Sequence, residues 1–431
     1  MVALWIRAGT AIAGHGALGV RLLAPVAAAL GSLLLAQAAE DLLPGRRAGP
    51  MAAALLNATL LFGIGAVTMT PDTPLLFFWT ATLWALARLY ATGRGAWWLA
   101  AGVAAGLALD SKYTGILLLP AALLWLAWVP GLRPWLRRPY PWAGAALALL
   151  CFVPVVNWNA AHGWAGFAKQ GGRAADWAPA RALQFLGELL AGQIGLATPL
   201  LAVLFGAGLV VATRLAWRRD AGWSLLASAA LLPAAVFVQH AFGDRVQANW
   251  PAVLYPAAAI AAAGFYHPWH RPAIGLGVAL TALVYLQATL APLPLPAKLD
   301  PTLQRLGGWP YLATEVALAA QATGATFVAV ENYGDAAELA RTLPGLPVLG
   351  LDARWGFFDL PDAQNLIAGR PGLLLRSARH AEPPDDADWF AVGAPLLVAR
   401  ARGGMVAEQY HLYPVVGRVG ATPVVVLPRP L

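Results

Sequence analysis

Apolar runs, broken at near-regular intervals by short polar stretches, fill this chain from Leu18 to about residue 291. The pattern is clearest from Thr68 to Trp125. Asp72 opens one apolar run, Arg88 and Arg94 close it, and the next ends at Asp110, Ser111 and Lys112 before a third begins. A helix needs about 20 predominantly apolar residues to cross a bilayer, so three such passes put Asp72 and Lys112 at one membrane face and both arginines at the other. With 59% hydrophobic and 12% charged residues, against roughly a quarter charged in an ordinary soluble domain, the chain is a polytopic membrane protein rather than a soluble enzyme.

Spans are predicted at about 18–39, 51–67, 74–90, 96–110, 114–130, 141–157, 186–213, 222–242, 249–265 and 273–291, about ten in all, after a short interfacial helix at Met1–Ala13. Alternate loops on one side hold Arg46, Arg47, Arg88, Arg94, Arg133, Arg137, Arg138, Arg214, Arg218, Arg219 and Arg271; the other side holds Lys112, Lys169, Arg173, Arg181 and Arg245. The arginine-rich side is cytoplasmic by the positive-inside bias. The net charge of +8 is therefore a topology signal and not a nucleic-acid footprint. Asp72, Lys112, the polar stretch 157–181, Arg245 and everything beyond Leu293 fall on the outer, periplasmic face. The first span would then enter from outside, which predicts a further span and outer loop upstream of Met1. A lone Cys151 within an apolar run excludes a disulfide framework and a thiolate metal cluster.

The composition changes after the last apolar run, so the domain boundary is placed at 292/293. Residues 308–323 read as an amphipathic helix, 326–331 as a buried strand, 335–343 as a helix, and 348–351, 373–376, 396–402 and 405–412 as short strands. Helices alternating with β-rich runs indicate a small α/β domain. The expected fold class is thus mainly α, a polytopic membrane protein with a small C-terminal α/β domain.

Four clusters on the outer face carry candidate chemistry. Asp72, in Thr70-Pro71-Asp72-Thr73-Pro74, fits a helix N-cap; it equally fits a functional acid able to hold a metal ion or a sugar hydroxyl, since ionisable groups at membrane depth are functional candidates. Lys112, followed by Tyr113, is either a snorkelling lysine or the cation for a phosphate at the bilayer surface. Asn157, Trp158, Asn159 and His162, continuing to Lys169, Gln170 and Arg173, fit an interfacial aromatic belt, but amides and imidazole beside indoles also equip a loop to grip a sugar or lipid phosphate. Asp244 and Arg245 either satisfy each other or offer a bidentate phosphate cation, and Asn249 and Trp250 just beyond them are grouped with Asn157, Trp158, Asn159, His162 and Gln170 as sugar or acceptor loop residues. There is no Walker sequence, no HExxH and no nucleophile elbow, which disfavours nucleotide-driven transport and zinc peptidase chemistry.

The segments TPDTPLLFFW, LALDSKYTGILLLPA, WNAAHGWAGFAKQGGR, ANWPAVLYPAAAIAAA and VENYGDAAELARTLPG resemble, in order, the bacterial branch of the protein O-mannosyltransferase and aminoarabinose transferase families. These are GT-C fold glycosyltransferases of the inner membrane that take a sugar from a polyprenyl-phosphate carrier. The resemblance implies transfer to a lipid or cell-envelope acceptor, with Asp72 at the family's second acidic position near the donor and Lys112, with Tyr113, at the lipid phosphate. His162 and Arg245 match more loosely a polar loop and a cation near the site, and a divalent metal ion near Asp72 is an expectation of the same kind. The family's catalytic base is an Asp in the first outer loop, which would precede Met1. Two other readings stand beside this one: a transporter or flippase of lipid-linked sugars, and a donor-binding relative that lacks the base.

Overall fold

The computed structural model describes residues 1–172, 177–380, 382–384, 389–418 and 424–428. The chain divides into two compact units, Met1–Ala282 and Leu283–Leu431. The division falls inside the last long helix, His270–Leu290.

Among the described residues, six helices are long and apolar enough to cross a membrane: Ala17–Leu42, Asp72–Thr92, Pro139–Ala161, Pro199–Trp217, Ala221–Ala241 and His270–Leu290. A seventh arises if Tyr113–Trp128 and Pro130–Arg137, bent by 119°, count as one span. This is fewer than the ten apolar runs, and the breaks have local causes. The 51–67 run divides at Thr59, whose hydroxyl accepts the Phe62 N–H at 3.2 Å and starts a new short helix, Leu60–Gly65. The 186–213 run divides at Thr198-Pro199, because a proline cannot continue the preceding helix; Ala182–Ala197 ends there and Pro199–Trp217 begins. The 249–265 run opens as a 3-10 turn, Trp250–Leu254, before Tyr255–Ala263. The 96–110 run forms Trp97–Ser111, only 15 residues long.

Small residues let these helices approach closely, as in other membrane bundles. Where Trp97–Ser111 crosses Pro139–Ala161, a Cβ on Gly102 would run into the carbonyl of Gly144, and one on Gly144 into the carbonyl of Trp98. At the arginine-rich end, Arg88 pairs with Asp41 at 2.9 Å. Arg219 donates to the Trp128 carbonyl while its guanidinium lies 3.9 Å from the Trp128 ring centroid. Arginines that anchor on indoles and carbonyls are the physical form of the charge bias read from the sequence.

The second unit is α/β. Its strands are β1 (Val328–Val330), β2 (Val348–Gly350), β3 (Pro371–Ser377), β4 (Trp389–Val392), β5 (Leu396–Arg402), β6 (Met405–Gly417) and β7 (Val425–Val426). They form one sheet in the order β4-β6-β3-β1-β2-β7, with β5 also on β6. β1 is parallel to β2 and to β3, and the other pairs are antiparallel. β1 is covered on both faces: Val328 and Val330 pack with Leu312, Val316 and Leu339 of the helices Trp309–Thr323 and Tyr333–Thr342, while Ala329 joins Phe327, Leu349 and Leu374. A strand buried on both sides reads as a continuous apolar run, which is why this one was legible. The short β4 and β7 carry too few residues to show a period, and the sequence reading missed them.

Candidate active site

Two membrane-unit helices meet at their ends through one ion pair. Asp72 begins the helix Asp72–Thr92, and Lys112 follows the end of Trp97–Ser111 in an extended conformation, φ −160° and ψ 138°. Lys112 is held there by its N–H to the Ala108 carbonyl at 3.1 Å and by Gly115 N–H donating to its carbonyl at 2.8 Å. The 3-10 turn Tyr113–Leu117 folds back so tightly that a Cβ on Gly115 would lie 2.5 Å from the Leu109 nitrogen. The result is a Lys112 Nζ that donates to Asp72 Oδ1 at 2.6 Å.

This corrects the N-cap expectation for Asp72, whose side chain makes no capping bond. Pro71 is already helical, so Asp72 lies one residue too far inside the helix to cap it. Thr73 organises the turn instead, its hydroxyl accepting from Thr70 N–H and donating to the Thr68 carbonyl. With the capping role gone, both Asp72 oxygens are free for tertiary partners. The second, Oδ2, accepts from Asn249 Nδ2 at 2.5 Å, and Lys112 Nζ lies 5.9 Å from the Trp250 ring centroid. Residues from three distant segments thus converge on one point. Sequence reasoning had set Asn249 and Trp250 among the sugar or acceptor loop residues; the structure joins them to the Asp72–Lys112 pair.

The metal expectation fits poorly. An acid whose two oxygens already hold an ammonium and an amide offers little to a divalent cation, and among the described residues no three His, Cys, Asp or Glu side chains gather as a ligand set.

The 157–170 loop is mostly occupied with itself. Asn159 is 1% exposed; it donates to the Val155 carbonyl, accepts from Phe167 N–H at 3.1 Å and reaches the Tyr113 hydroxyl at 3.5 Å. It is a staple of the helix end and turned away from solvent. His162 Nδ1 lies 2.8 Å from the Trp158 carbonyl, and its ring stacks on the Trp158 indole with centroids 4.3 Å apart. Asn157 and Gln170 lie on the exposed surface, and Arg173 lies outside the described residues. Tyr113 links the loop to Lys112, because its ring packs on Phe152 and Phe167.

Arg245 is not brought to Lys112. Its guanidinium makes a bidentate contact with Glu188, at 2.6 and 3.0 Å, while Asp244 accepts from the Arg245 N–H and faces His240 Nε2 at 3.7 Å. The expected Asp244–Arg245 side-chain pair therefore does not form. Glu188 went unremarked in the sequence, although an acid inside an apolar run is a visible signal.

A cavity of about 300 Å³ opens beside the pair. Asp72, Thr73, Leu76, Phe77 and Thr80 line one wall, at the spacing of one helix face, and Asn249 stands with Asp72 at its polar end. The rest of the lining is mostly apolar, contributed by the segments 24–31 and 56–66 with Leu196, and carries the hydroxyls of Ser32, Thr68 and Thr70.

Known proteins share this architecture. The family model of dolichyl-phosphate-mannose-protein mannosyltransferases matches residues 1–158. The lipid A galacturonosyltransferase RgtD of Rhizobium johnstonii is 26% identical over 361 residues, covering 80% of this chain and 72% of that protein. The crystal structure of ArnT from Cupriavidus metallidurans, bound to undecaprenyl phosphate, superposes with a TM-score of 0.62 at 17% identity, covering 96% of this chain and 87% of that one. The fold is therefore that of the GT-C membrane glycosyltransferases. Within that class, residues 1–158 carry the likeness to the mannosyltransferase family model.

Proposed function

We propose that this protein transfers a sugar from a polyprenyl-phosphate donor to a lipid or cell-envelope acceptor at the periplasmic face of the bacterial inner membrane. The observation that carries the reading is the Lys112 ammonium held by Asp72, an acid that itself lines an apolar cavity, which matches an amphiphile with an anionic head and a hydrocarbon tail. Two relatives support it: the ArnT structure holds undecaprenyl phosphate, and RgtD is a lipid A glycosyltransferase.

In such a transfer the acceptor oxygen attacks the anomeric carbon, the carbon–oxygen bond to phosphate breaks, and polyprenyl phosphate leaves with the bonding pair. The acceptor proton passes to a base. The phosphodiester begins with one negative charge and the departing phosphate approaches two, so its attraction for Lys112 grows along the reaction coordinate. Stabilisation that increases toward the transition state is what accelerates a step. Asp72 holds the ammonium in place before the donor arrives; both its oxygens are engaged, which suits it to positioning Lys112 and leaves the acceptor proton to another carboxylate. The C-terminal unit lies on the same periplasmic side in this reading.

The test is direct binding of undecaprenyl phosphate to the purified protein, beside turnover of an undecaprenyl-phosphate sugar onto lipid A. Lys112→Met is expected to weaken binding of the phosphate at least tenfold, the scale of one charge-assisted contact. Equal affinity of the variant and the parent protein for undecaprenyl phosphate and for the uncharged alcohol undecaprenol would overturn the reading.

A further inference from the structure

We infer that Asn249 is a positioning residue that sets how much of the Lys112 charge is available to a phosphate. This rests on the reading of Lys112 as the phosphate cation and goes beyond it, because Asn249 does not touch Lys112. It acts on Asp72.

Asp72 is shared by two donors. Lys112 Nζ takes Oδ1 at 2.6 Å and Asn249 Nδ2 takes Oδ2 at 2.5 Å. A carboxylate with a free second oxygen can turn to present both oxygens to an ammonium, which strengthens its hold. The Asn249 amide prevents that by occupying Oδ2, drawing off electron density and fixing the carboxylate plane. Lys112 is then held by one oxygen only, and an incoming phosphate has one contact to outcompete.

The segment that carries Asn249 is built for this. Asn249 precedes the 3-10 turn Trp250–Leu254, in which Pro251, Ala252 and Val253 are buried, so the turn is anchored in the core of the membrane unit. The next residue, Trp250, has its ring centroid 5.9 Å from the same ammonium. The preceding residue is fixed too: the Ala248 carbonyl accepts from Gln193 Nε2 at 2.9 Å, and Gln193 Oε1 accepts from the Tyr255 hydroxyl at 3.0 Å. Adjacent residues thus hold the acid and flank the base of one ion pair. A residue that served only to pack the turn would not need an amide pointed at Asp72.

The experiment is a double-mutant cycle read by affinity for undecaprenyl phosphate, with undecaprenol as the uncharged control. Asn249→Ala is expected to weaken undecaprenyl phosphate binding about five- to tenfold, the scale of one hydrogen bond's net contribution because it acts through Asp72, and to leave undecaprenol binding unchanged. In the Lys112→Met background the same substitution should have no further effect, because the residue through which it acts is gone. If Asn249→Ala does not fold, the nearly isosteric Asn249→Asp replaces it, with a larger loss expected from the added negative charge beside Asp72. Additive losses in the double variant, parallel losses for undecaprenol, or no loss at all would each overturn the inference. A Lys112→Met protein that binds undecaprenyl phosphate as well as the parent would instead remove the phosphate reading itself, and this inference with it.

Discussion

Lys112 and Asp72 are 40 residues apart in sequence and 2.6 Å apart in space, with 25% and 17% of their side chains exposed. The pair is neither a surface contact that water screens nor a fully buried one. It joins the ends of two helices and still leaves the ammonium within reach of a ligand. Removal of either partner therefore affects both folding and binding, and the two effects separate by adding the ligand. Asp72→Asn is expected to cost about 1–2 kcal/mol, between the exposed and buried limits for ion pairs. Undecaprenyl phosphate should raise the melting temperature of the parent protein and of Asp72→Asn by more than that of Lys112→Met at the same lipid concentration, as linkage requires of a ligand that binds partly through the ammonium. Thermal unfolding in detergent, with and without the lipid, checks this.

Gly115 sets the position of Lys112 without touching any ligand. Because a methyl group there would press on the Leu109 nitrogen, Gly115→Ala must push the Tyr113–Leu117 turn outward. The expected result is a loss of about 1–3 kcal/mol, typical of overpacking, together with weaker undecaprenyl phosphate binding. A variant with normal affinity would show that the turn can move without carrying Lys112.

Asp335, on the helix Tyr333–Thr342 of the C-terminal unit, has its carboxyl pushed up to about 6 by burial and by the neighbouring Glu408, against which Arg400 and Arg379 pull only partly. The folded state then binds this proton more tightly than the unfolded chain, whose carboxyl titrates near 3.8. Stability from this site is lowest above pH 6 and rises as pH falls toward 4. Asp335→Asn should stabilise the unit near pH 7.5 by about 1–2 kcal/mol after solvent screening and flatten that part of the pH profile. Hydrogen exchange at β1 and its flanking helices, measured from pH 4.5 to 7.5, reports it.

Asp300 behaves in the opposite sense. Its side chain is 2% exposed and receives Gln287, Thr302 and Arg402. Burial alone would raise its carboxyl, but hydrogen bonds from Gln287, from Thr302 and from the backbone at Leu303 and Thr302 more than offset that and hold it at about 2. Its contribution is complete above pH 3.8 and is lost as pH falls toward 2. Asp300→Ala leaves Arg402 and Gln287 without their shared acceptor and should destabilise the C-terminal unit by about 3–5 kcal/mol. Chemical denaturation followed through that unit measures it.

The membrane class, the α/β character of the last third and the candidacy of Asp72 and Lys112 were all readable from the chain. Each depends on local quantities: run length, net charge of a loop, and side-chain period. Ten apolar runs nevertheless became six long helices and several short ones, since hydrophobicity reports burial in lipid or protein alike and only the chain breaks at Thr59 and Pro199 divide a run.

The sequence by itself therefore determined which groups are charged, which apolar runs they bound and which family they resemble. Tertiary structure alone decided their partners. Arg245 was available to a phosphate or to Asp244 and went to Glu188, 57 residues away; Asn159, apparently a loop amide, is buried as a staple; Asn249 crosses 177 residues to hold Asp72. Hydrogen bonds and ion pairs act over about 3 Å and depend on direction, so their pairing follows from how helices pack in three dimensions, a relation that no one-dimensional pattern contains.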